Sequence, residues 1–367
     1  MPTILGVMSG AKARWWHEEG GRLRCDLCPH RCILPDGGIG RCGARQNVKG
    51  TLISRTYGQV CVRAVDQIEK KPMFHYRPGT KLLSLGTFGC NLSCAYCQNA
   101  PLATSSGEGL EPRRMEPREI VDLALKEGVQ GIAWTFNEPT VWAELIMDTA
   151  ALARENGLYT MINTNGYMLP EAAKDIVRSV DALNIDVKGF SEQFYEKVCG
   201  GSLREVLDTC LLARREGKHV ELTYLLVPGL NDSEAEVRRF SKWAAEEMGP
   251  DTPVFFFRFQ PSHRLADLPE QSMEVMERSA RIAREAGLRF VYLGGVAGVE
   301  LDTRCPSCGE VLVKRRSVRP PQKVCLKGSE VSRFCPSYEV TVIATSTQCP
   351  RCGARVPLVL GGAPEKL

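Results

Sequence analysis

The stretch Gly89-Cys90-Asn91-Leu92-Ser93-Cys94-Ala95-Tyr96-Cys97 puts three thiols on one short loop, spaced x3 and x2. Thiolates are the usual ligands of iron–sulfur clusters, which normally take four of them. Three thiolates with no fourth nearby can hold three irons of a cubane and leave the last iron open to a substrate or cofactor. The competing reading is a zinc site short of one ligand. The loop follows a strand directly, at a place where such folds put their ligands, and this favours the cubane.

The chain holds 16 cysteines, and most of the others are also grouped. Cys25-x2-Cys28-x3-Cys32-x9-Cys42 offers four thiolates, enough for tetrahedral zinc or for a second iron–sulfur cluster. Zinc there would staple a segment too small to fold alone. His30 could join the ligands, although a hydrogen-bonded surface histidine is the plainer reading. Cys305-Pro306-Ser307-Cys308-Gly309 and Cys349-Pro350-Arg351-Cys352-Gly353 are paired Cys-x2-Cys-Gly knuckles that read as a zinc ribbon. Each glycine allows the tight turn that brings backbone amides to the sulfurs. The nearby basic run Arg315, Arg316, Arg319 and Lys323 reads as a solvated charged face rather than an RNA contact. Cys199 stands alone. A buried inert thiol is the common fate of such a residue, and the catalytic alternative is a hydrogen donor or covalent handle. Cys61 and Cys210 are expected in the core, and Cys325 and Cys335 fall in an insertion with no recognisable motif.

These residues need elements to position them. Short apolar runs at 81–86, 131–136, 159–163, 182–187, 220–227, 254–259 and 290–294 alternate with amphipathic stretches at 117–127, 141–156, 170–179, 203–216, 234–248 and 269–286. Gly128, Gly157, Gly217 and Gly287 supply helix stops. Repeated strand–helix alternation predicts parallel βα units, hence an α/β fold. A full or partial parallel barrel of the TIM or (βα)6 type is expected, with a doubly wound open sheet as the runner-up. Ligands then sit at the C-terminal strand ends, where Asn137-Glu138, Asn163-Thr164-Asn165, Asp186, Lys188 and Gln260 to His263 should converge. Residues 1–78 form a cysteine-rich metal-binding segment, 79–298 the βα domain and 299–367 the ribbon-like domain.

The chain has 367 residues, 43% hydrophobic and 25% charged, with a formal net charge of +4. This is the profile of a soluble globular protein and neither demands nor excludes a nucleic-acid partner. Residues 1–20 lack the apolar run of a secretory signal, and no stretch reads as a membrane span. The expected compartment is the cytoplasm, where thiols stay reduced, so the clustered cysteines read as metal ligands rather than disulfides.

The central loop resembles the signature of the radical S-adenosylmethionine (SAM) superfamily, three cysteines at this spacing with an aromatic residue, here Tyr96, before the last. The resemblance implies that Cys90, Cys94 and Cys97 hold a [4Fe–4S] cluster whose open iron chelates SAM. It further implies reductive cleavage to a 5′-deoxyadenosyl radical that takes hydrogen from a substrate. Thr135-Phe136-Asn137-Glu138-Pro139-Thr140 is similar to the family's Gly-Gly-Glu-Pro element, with Asn137 in place of a glycine. Thr164-Asn165-Gly166, Asp186-Val187-Lys188, Pro228-Gly229-Leu230-Asn231-Asp232 and Pro261-Ser262-His263 resemble elements of glycyl-radical activating enzymes. Tyr96, Asn137, Glu138, Asn165, Asp186, Lys188 and His263 are the cofactor-binding positions implied.

Over nearly its whole length the chain resembles the radical enzyme of the AmmeMemoRadiSam system, which is similar to pyruvate formate-lyase activating enzymes. The residues carrying this are Cys25-Asp26-Leu27-Cys28-Pro29-His30-Arg31-Cys32, Gly40-Arg41-Cys42-Gly43, Lys71-Pro72-Met73-Phe74-His75, Lys197-Val198-Cys199-Gly200 and the run from 291 to 309. The run Gly295-Val296-Ala297-Gly298 is less polar than the family's pattern. The resemblance implies an oxidoreductase, with a low-potential electron donor of flavodoxin or ferredoxin type and Memo-like and AMMECR-type proteins as partners. Three functions are in play: radical modification of a protein, radical chemistry on a small molecule or RNA, and a non-catalytic Fe–S and zinc scaffold.

Overall fold

The computed structural model describes residues 10–296, 298–319, 323–326, 329–332 and 337–361. Ala297 and Cys335 lie outside them. Cys325 is described only by the backbone of the strand Lys323–Leu326.

The main sheet has eight strands: β1 (Val62–Gln67), β2 (Lys81–Gly86), β3 (Gly131–Trp134), β4 (Tyr159–Thr164), β5 (Ala182–Asp186), β6 (His219–Leu226), β7 (Val254–Arg258) and β8 (Val291–Gly294). Strands β2 to β8 run parallel and pair in sequence order. A doubly wound sheet reverses its strand order at a switch point; this one does not, which removes the runner-up. Among the described residues no pairing joins β8 to β1, so the sheet is singly wound and open. β1 pairs antiparallel with β2 and forms one edge.

Six helices follow the parallel strands: α1 (Pro117–Lys126), α2 (Ala143–Glu155), α3 (Pro170–Ser179), α4 (Leu203–Arg215), α5 (Glu234–Trp243) and α6 (Met273–Glu285). The start of α1 shows why they form where they do. Pro117 sits in the first turn, and Glu116 and Glu119 make a reciprocal capping box. The last helix begins at Met273, capped by Ser272, rather than at the expected position 269. Right-handed crossovers that always step in one direction place these helices on one face of the sheet. Successive helices pack side by side, α1 on α2, α2 on α3, α3 on α4 and α5 on α6.

Alternation along the strands divides the core. Ile132, Trp134 and Ile162 face the helices, whereas Ala133, Tyr159 and Met161 face a separate cluster with Ile68, Met73 and Tyr76. The segment 68–76 is therefore a strap that covers the lower part of the helix-free face. Glu221, fully buried on β6, accepts the backbone N–H groups of Phe74 (2.8 Å) and His75 (2.7 Å) and bonds to His219 Nε2 (2.9 Å). The C-terminal unit packs on the part of that face formed by the last strands, with Leu312, Val313, Tyr338 and Val356 around Phe74, Phe255 and Tyr292.

Arg315 joins these parts and corrects the solvated-face expectation. It is 5% exposed, donates to Phe74 O (2.5 Å) and Thr303 Oγ1 (2.8 Å), and lies 4.2 Å from the centre of the Phe74 ring. Arg316 is exposed, and the side chains of Arg319 and Lys323 are outside the described set. Cys210 is buried as expected, whereas Cys61 is only half-buried. No described helix is long and apolar enough to cross a membrane.

Candidate active site

A cavity of about 310 Å³ opens at the C-terminal ends of the parallel strands, within the size range of small-molecule sites. Cys90, Cys94 and Cys97 line it together with Tyr96, Asn137, Glu138, Asn165, Asp186 and Lys188. Expected contacts from the ends of β2, β3, β4 and β5 thus meet on one face.

The cysteine loop is held from several sides. Ser93 and Ala95 donate their N–H groups to the carbonyls of Cys199 and Val198, both at 2.8 Å. Ser262 Oγ donates to Tyr96 O (3.0 Å), and the Arg264 N–H donates to Ala95 O (2.9 Å). Asn137 accepts from Thr87 N (3.0 Å) and donates to Gly89 O (3.0 Å), so its side chain braces the loop. The Leu92 N–H points at the Cys90 sulfur, 3.4 Å away. Three convergent thiols with amide donors, and no fourth cysteine on the cavity wall, suit a cluster with one open iron. Burial pushes the Cys97 thiol up to about 11 and holds the Cys90 thiol well above its ordinary value. Both would have to lose their protons on binding metal.

Glu138 is 3% exposed and anchors the far wall. Its Oε1 accepts from Thr140 N (2.9 Å), Thr140 Oγ1 (2.7 Å) and Thr164 Oγ1 (2.6 Å), while Oε2 accepts from Asn165 N (2.8 Å). Burial raises its carboxyl above the usual range, and these donors oppose the shift. Oε2, with a single donor, keeps acceptor capacity, and Glu138 lines the cavity. Asn165 spends its amide N–H on Asn91 Oδ1 (2.8 Å) and, at 3.8 Å, on the Cys90 sulfur. It positions the loop. Phe136, just before Asn137-Glu138, holds φ at +72°, a left-handed conformation that costs a non-glycine residue about 1–3 kcal/mol.

Lys188 pairs with Asp186 at 2.6 Å. Burial disfavours its charge, but the Asp186 carboxylate and the Cys94 sulfur outweigh that and keep the ammonium firmly protonated. A second pair, Lys71 with Asp66 at 2.9 Å, enters from the strap and β1. Asn163 and Asn184 donate to the carbonyls of Lys71 (3.0 Å) and Pro72 (2.8 Å), which fixes the strap beneath the cavity.

Two expected positions fall elsewhere. Cys199 is fully buried behind the loop, 3.7 Å from the Tyr96 hydroxyl, and is absent from the cavity wall. His263 is exposed with φ at +52° and also does not line the cavity; its neighbours Ser262 and Arg264 touch the loop instead. Asp66, Lys71, Asn184, Thr223 and Arg258 line the cavity without having been singled out as site residues, although Lys71 stood in a resembling stretch.

In the C-terminal unit the sulfurs of Cys305, Cys308, Cys349 and Cys352 all lie within 4.8 Å of one another, with Cys305–Cys352 and Cys308–Cys349 at 3.6 Å. Gly309 (φ +76°) and Gly353 (φ +72°) return their N–H groups to the Cys305 and Cys349 carbonyls. Four sulfurs this close can share one metal ion.

Residues 84–240 match the radical SAM superfamily. An uncharacterized protein of Methanocaldococcus jannaschii is 42% identical over 81% of this chain and 89% of its own length. The chain belongs to the radical SAM superfamily. It is also 20% identical to the pyruvate formate-lyase 1-activating enzyme of Escherichia coli K12, over 59% of this chain and 93% of that one. A GTP 3′,8-cyclase of Geobacter sulfurreducens is 28% identical over 59% of this chain and 66% of its own. Among solved structures, a radical SAM methyltransferase from Sphaerobacter thermophilus aligns with TM-score 0.48 and 18% identity, over 64% of this chain and 71% of that one. Superfamily membership implies SAM and a [4Fe–4S] cluster, and the three cysteines of the radical SAM loop are the residues fitted to hold that cluster.

Proposed function

We propose that this radical SAM protein cleaves SAM reductively and directs the resulting 5′-deoxyadenosyl radical to a hydrogen on a protein substrate, as activating enzymes do. The observation that carries the reading is the cavity itself, where Cys90, Cys94 and Cys97 share one wall with Glu138, Asp186 and Lys188. A scaffold without catalysis would need no such cavity. The bound cluster and SAM supply the one-electron and radical chemistry. The chain supplies position, charge and exclusion of water. Asn137 and Asn165 fix the cysteine loop, and the free acceptor capacity of Glu138 Oε2 suits the cationic amine of a methionine group. The Lys188–Asp186 and Lys71–Asp66 pairs offer preset charges at two sides of the cavity.

Activating-enzyme relatives favour a protein substrate. A small charged substrate is the second reading, favoured by the Lys71–Asp66 pair and Arg258 on the cavity wall. Zinc suits the four-cysteine site of the C-terminal unit. A tetrahedral ion about 2.3 Å from each sulfur sets the sulfurs about 3.7–3.8 Å apart, close to the two 3.6 Å pairs. A flavodoxin- or ferredoxin-type donor, and Memo-like and AMMECR-type proteins, are the partners that fit this reading, in the cytoplasm. Anaerobic turnover with each candidate protein tests the substrate class. A glycine-centred doublet in electron paramagnetic resonance (EPR) supports a glycyl-radical product, and 5′-deoxyadenosine formed without any change to protein partners favours the small substrate.

A further inference from the structure

By resemblance, Asn165 is a cofactor contact. In the fold it is 4% exposed and its side chain is engaged inside the chain on every side. Its Oδ1 accepts the Tyr167 N–H (2.9 Å), Nδ2 donates to Asn91 Oδ1 (2.8 Å), and the Cys90 sulfur lies 3.8 Å from the same nitrogen. No side-chain N–H is left for a ligand. We propose that Asn165 is a positioning residue that acts on the radical SAM cluster through Cys90 and raises its reduction potential. The inference rests on a cluster at Cys90, Cys94 and Cys97 and is independent of the substrate.

The first argument is how firmly the amide is set. Its oxygen is held by the turn to Tyr167, a local bond of the kind asparagine makes two residues on. Its nitrogen is held by Asn91, which is itself fixed. Asn91 donates Nδ2 to Tyr167 O (2.7 Å), and its carbonyl lies 2.7 Å from His30 Nε2. Asn91 also borders the small pocket lined by Cys25, Cys28, Cys32 and Cys42, so the brace is backed by the N-terminal segment. The two N–H bonds of a planar amide diverge, and pinning one on Asn91 aims the other at Cys90.

The second argument is charge. Reduction of the cluster adds one electron, supplied by the low-potential donor, and makes or breaks no bond. It therefore adds negative charge that is shared with the cysteine sulfurs. Hydrogen bonds to those sulfurs favour the reduced state and are among the features that set the potential. Cys90 faces two such donors, the Leu92 N–H at 3.4 Å and Asn165 Nδ2. Burial strengthens both, because little water competes for the sulfur. Asn165 also gives its backbone N–H to Glu138 Oε2 (2.8 Å), so one residue serves the carboxylate and the thiolate together.

The test is a redox titration of the reconstituted full-length chain without SAM, followed by EPR. Asn165→Ser keeps an oxygen for the Tyr167 N–H but is too short to reach Cys90. At a fixed potential its reduced-to-oxidised ratio should fall about tenfold, a shift of about 59 mV for one electron. Asn91→Ala loosens the same brace and leaves the Asn165 amide beside Cys90, so its midpoint should match the parent. An unchanged midpoint in Asn165→Ser, or an equal fall in Asn91→Ala, would overturn the proposal. If Asn165→Ser takes up no iron, pulsed EPR of the parent carrying heavy nitrogen in its asparagine side-chain amides decides. A nitrogen coupling to the reduced cluster is expected, and its absence would overturn the assignment. Failure of SAM cleavage with the midpoints as expected would count against the proposed function and not against Asn165.

Discussion

Glu138 and Cys94 carry the residue-level account. Cys94 lines the cavity with the Lys188–Asp186 pair, and its thiol is lowered by the Cys199 side chain, with Lys188 adding to the effect against burial. Cys94→Ala is expected to abolish both the SAM-responsive cluster and the formation of 5′-deoxyadenosine, as read by EPR and chromatography. Turnover that persists would place the cluster elsewhere. In Glu138→Gln, an amide N–H must face one of the four donors that the carboxylate now accepts. The expected result is SAM affinity at least about tenfold weaker, roughly 1.4 kcal/mol, with the cluster intact. Unchanged affinity in equilibrium binding would remove Glu138 from the cofactor contact. Cysteine spacing alone picked out the three thiols that line the cavity and the four that converge in the C-terminal unit. Cys199 and His263 show the limit of that reading, because a matching motif does not specify which way a side chain points.

At the scale of elements, the strap 68–76 sets the floor of the cavity, and its hold is pH-sensitive. Burial, together with Arg315 and His219, pushes the His75 imidazole from 6.5 down to about 3, against the pull of Glu221. The unfolded chain takes up a proton near pH 6.5 and the folded chain does not. The contribution of His75 is therefore fully present above that pH and is lost as pH falls from 6.5 toward 3. From about pH 7 to about pH 5.5 the loss is about 1 kcal/mol. His75→Gln, uncharged throughout, should show that much less pH-dependent loss in denaturant titrations over this range; an equal loss would contradict the assignment. The strands and helices between 81 and 294 were legible almost residue by residue, since continuous apolar runs and glycine stops mark buried parallel strands and helix ends. β1 was not. Val62-Arg63-Ala64-Val65-Asp66-Gln67 carries two charged residues instead of a continuous apolar run, lies in a glycine- and cysteine-rich context, and reaches its partner β2 through the strap rather than a tight turn. Missing β1 also hid Asp66 from the site.

Over the whole molecule, three cysteine sets surround or buttress one sheet, and Arg315 ties the C-terminal unit to the strap. Arg315→Ala leaves the Phe74 and Leu301 carbonyls and Glu69 without their buried partner. It should destabilise the chain by about 3 kcal/mol in denaturant titrations while leaving iron content unchanged. A change below about 0.5 kcal/mol would mean that the C-terminal unit docks without it. The sequence could not reveal this contact, because three neighbouring arginines look alike until the strand pairing turns one of them inward.

The central claim is that the cavity at the strand ends is a site of reductive SAM cleavage. The direct measurement is anaerobic incubation of the reconstituted protein with dithionite and SAM, followed by quantification of 5′-deoxyadenosine. The account predicts product from the parent chain and none from Cys94→Ala. No product from a parent whose reduced cluster is intact by EPR would contradict it.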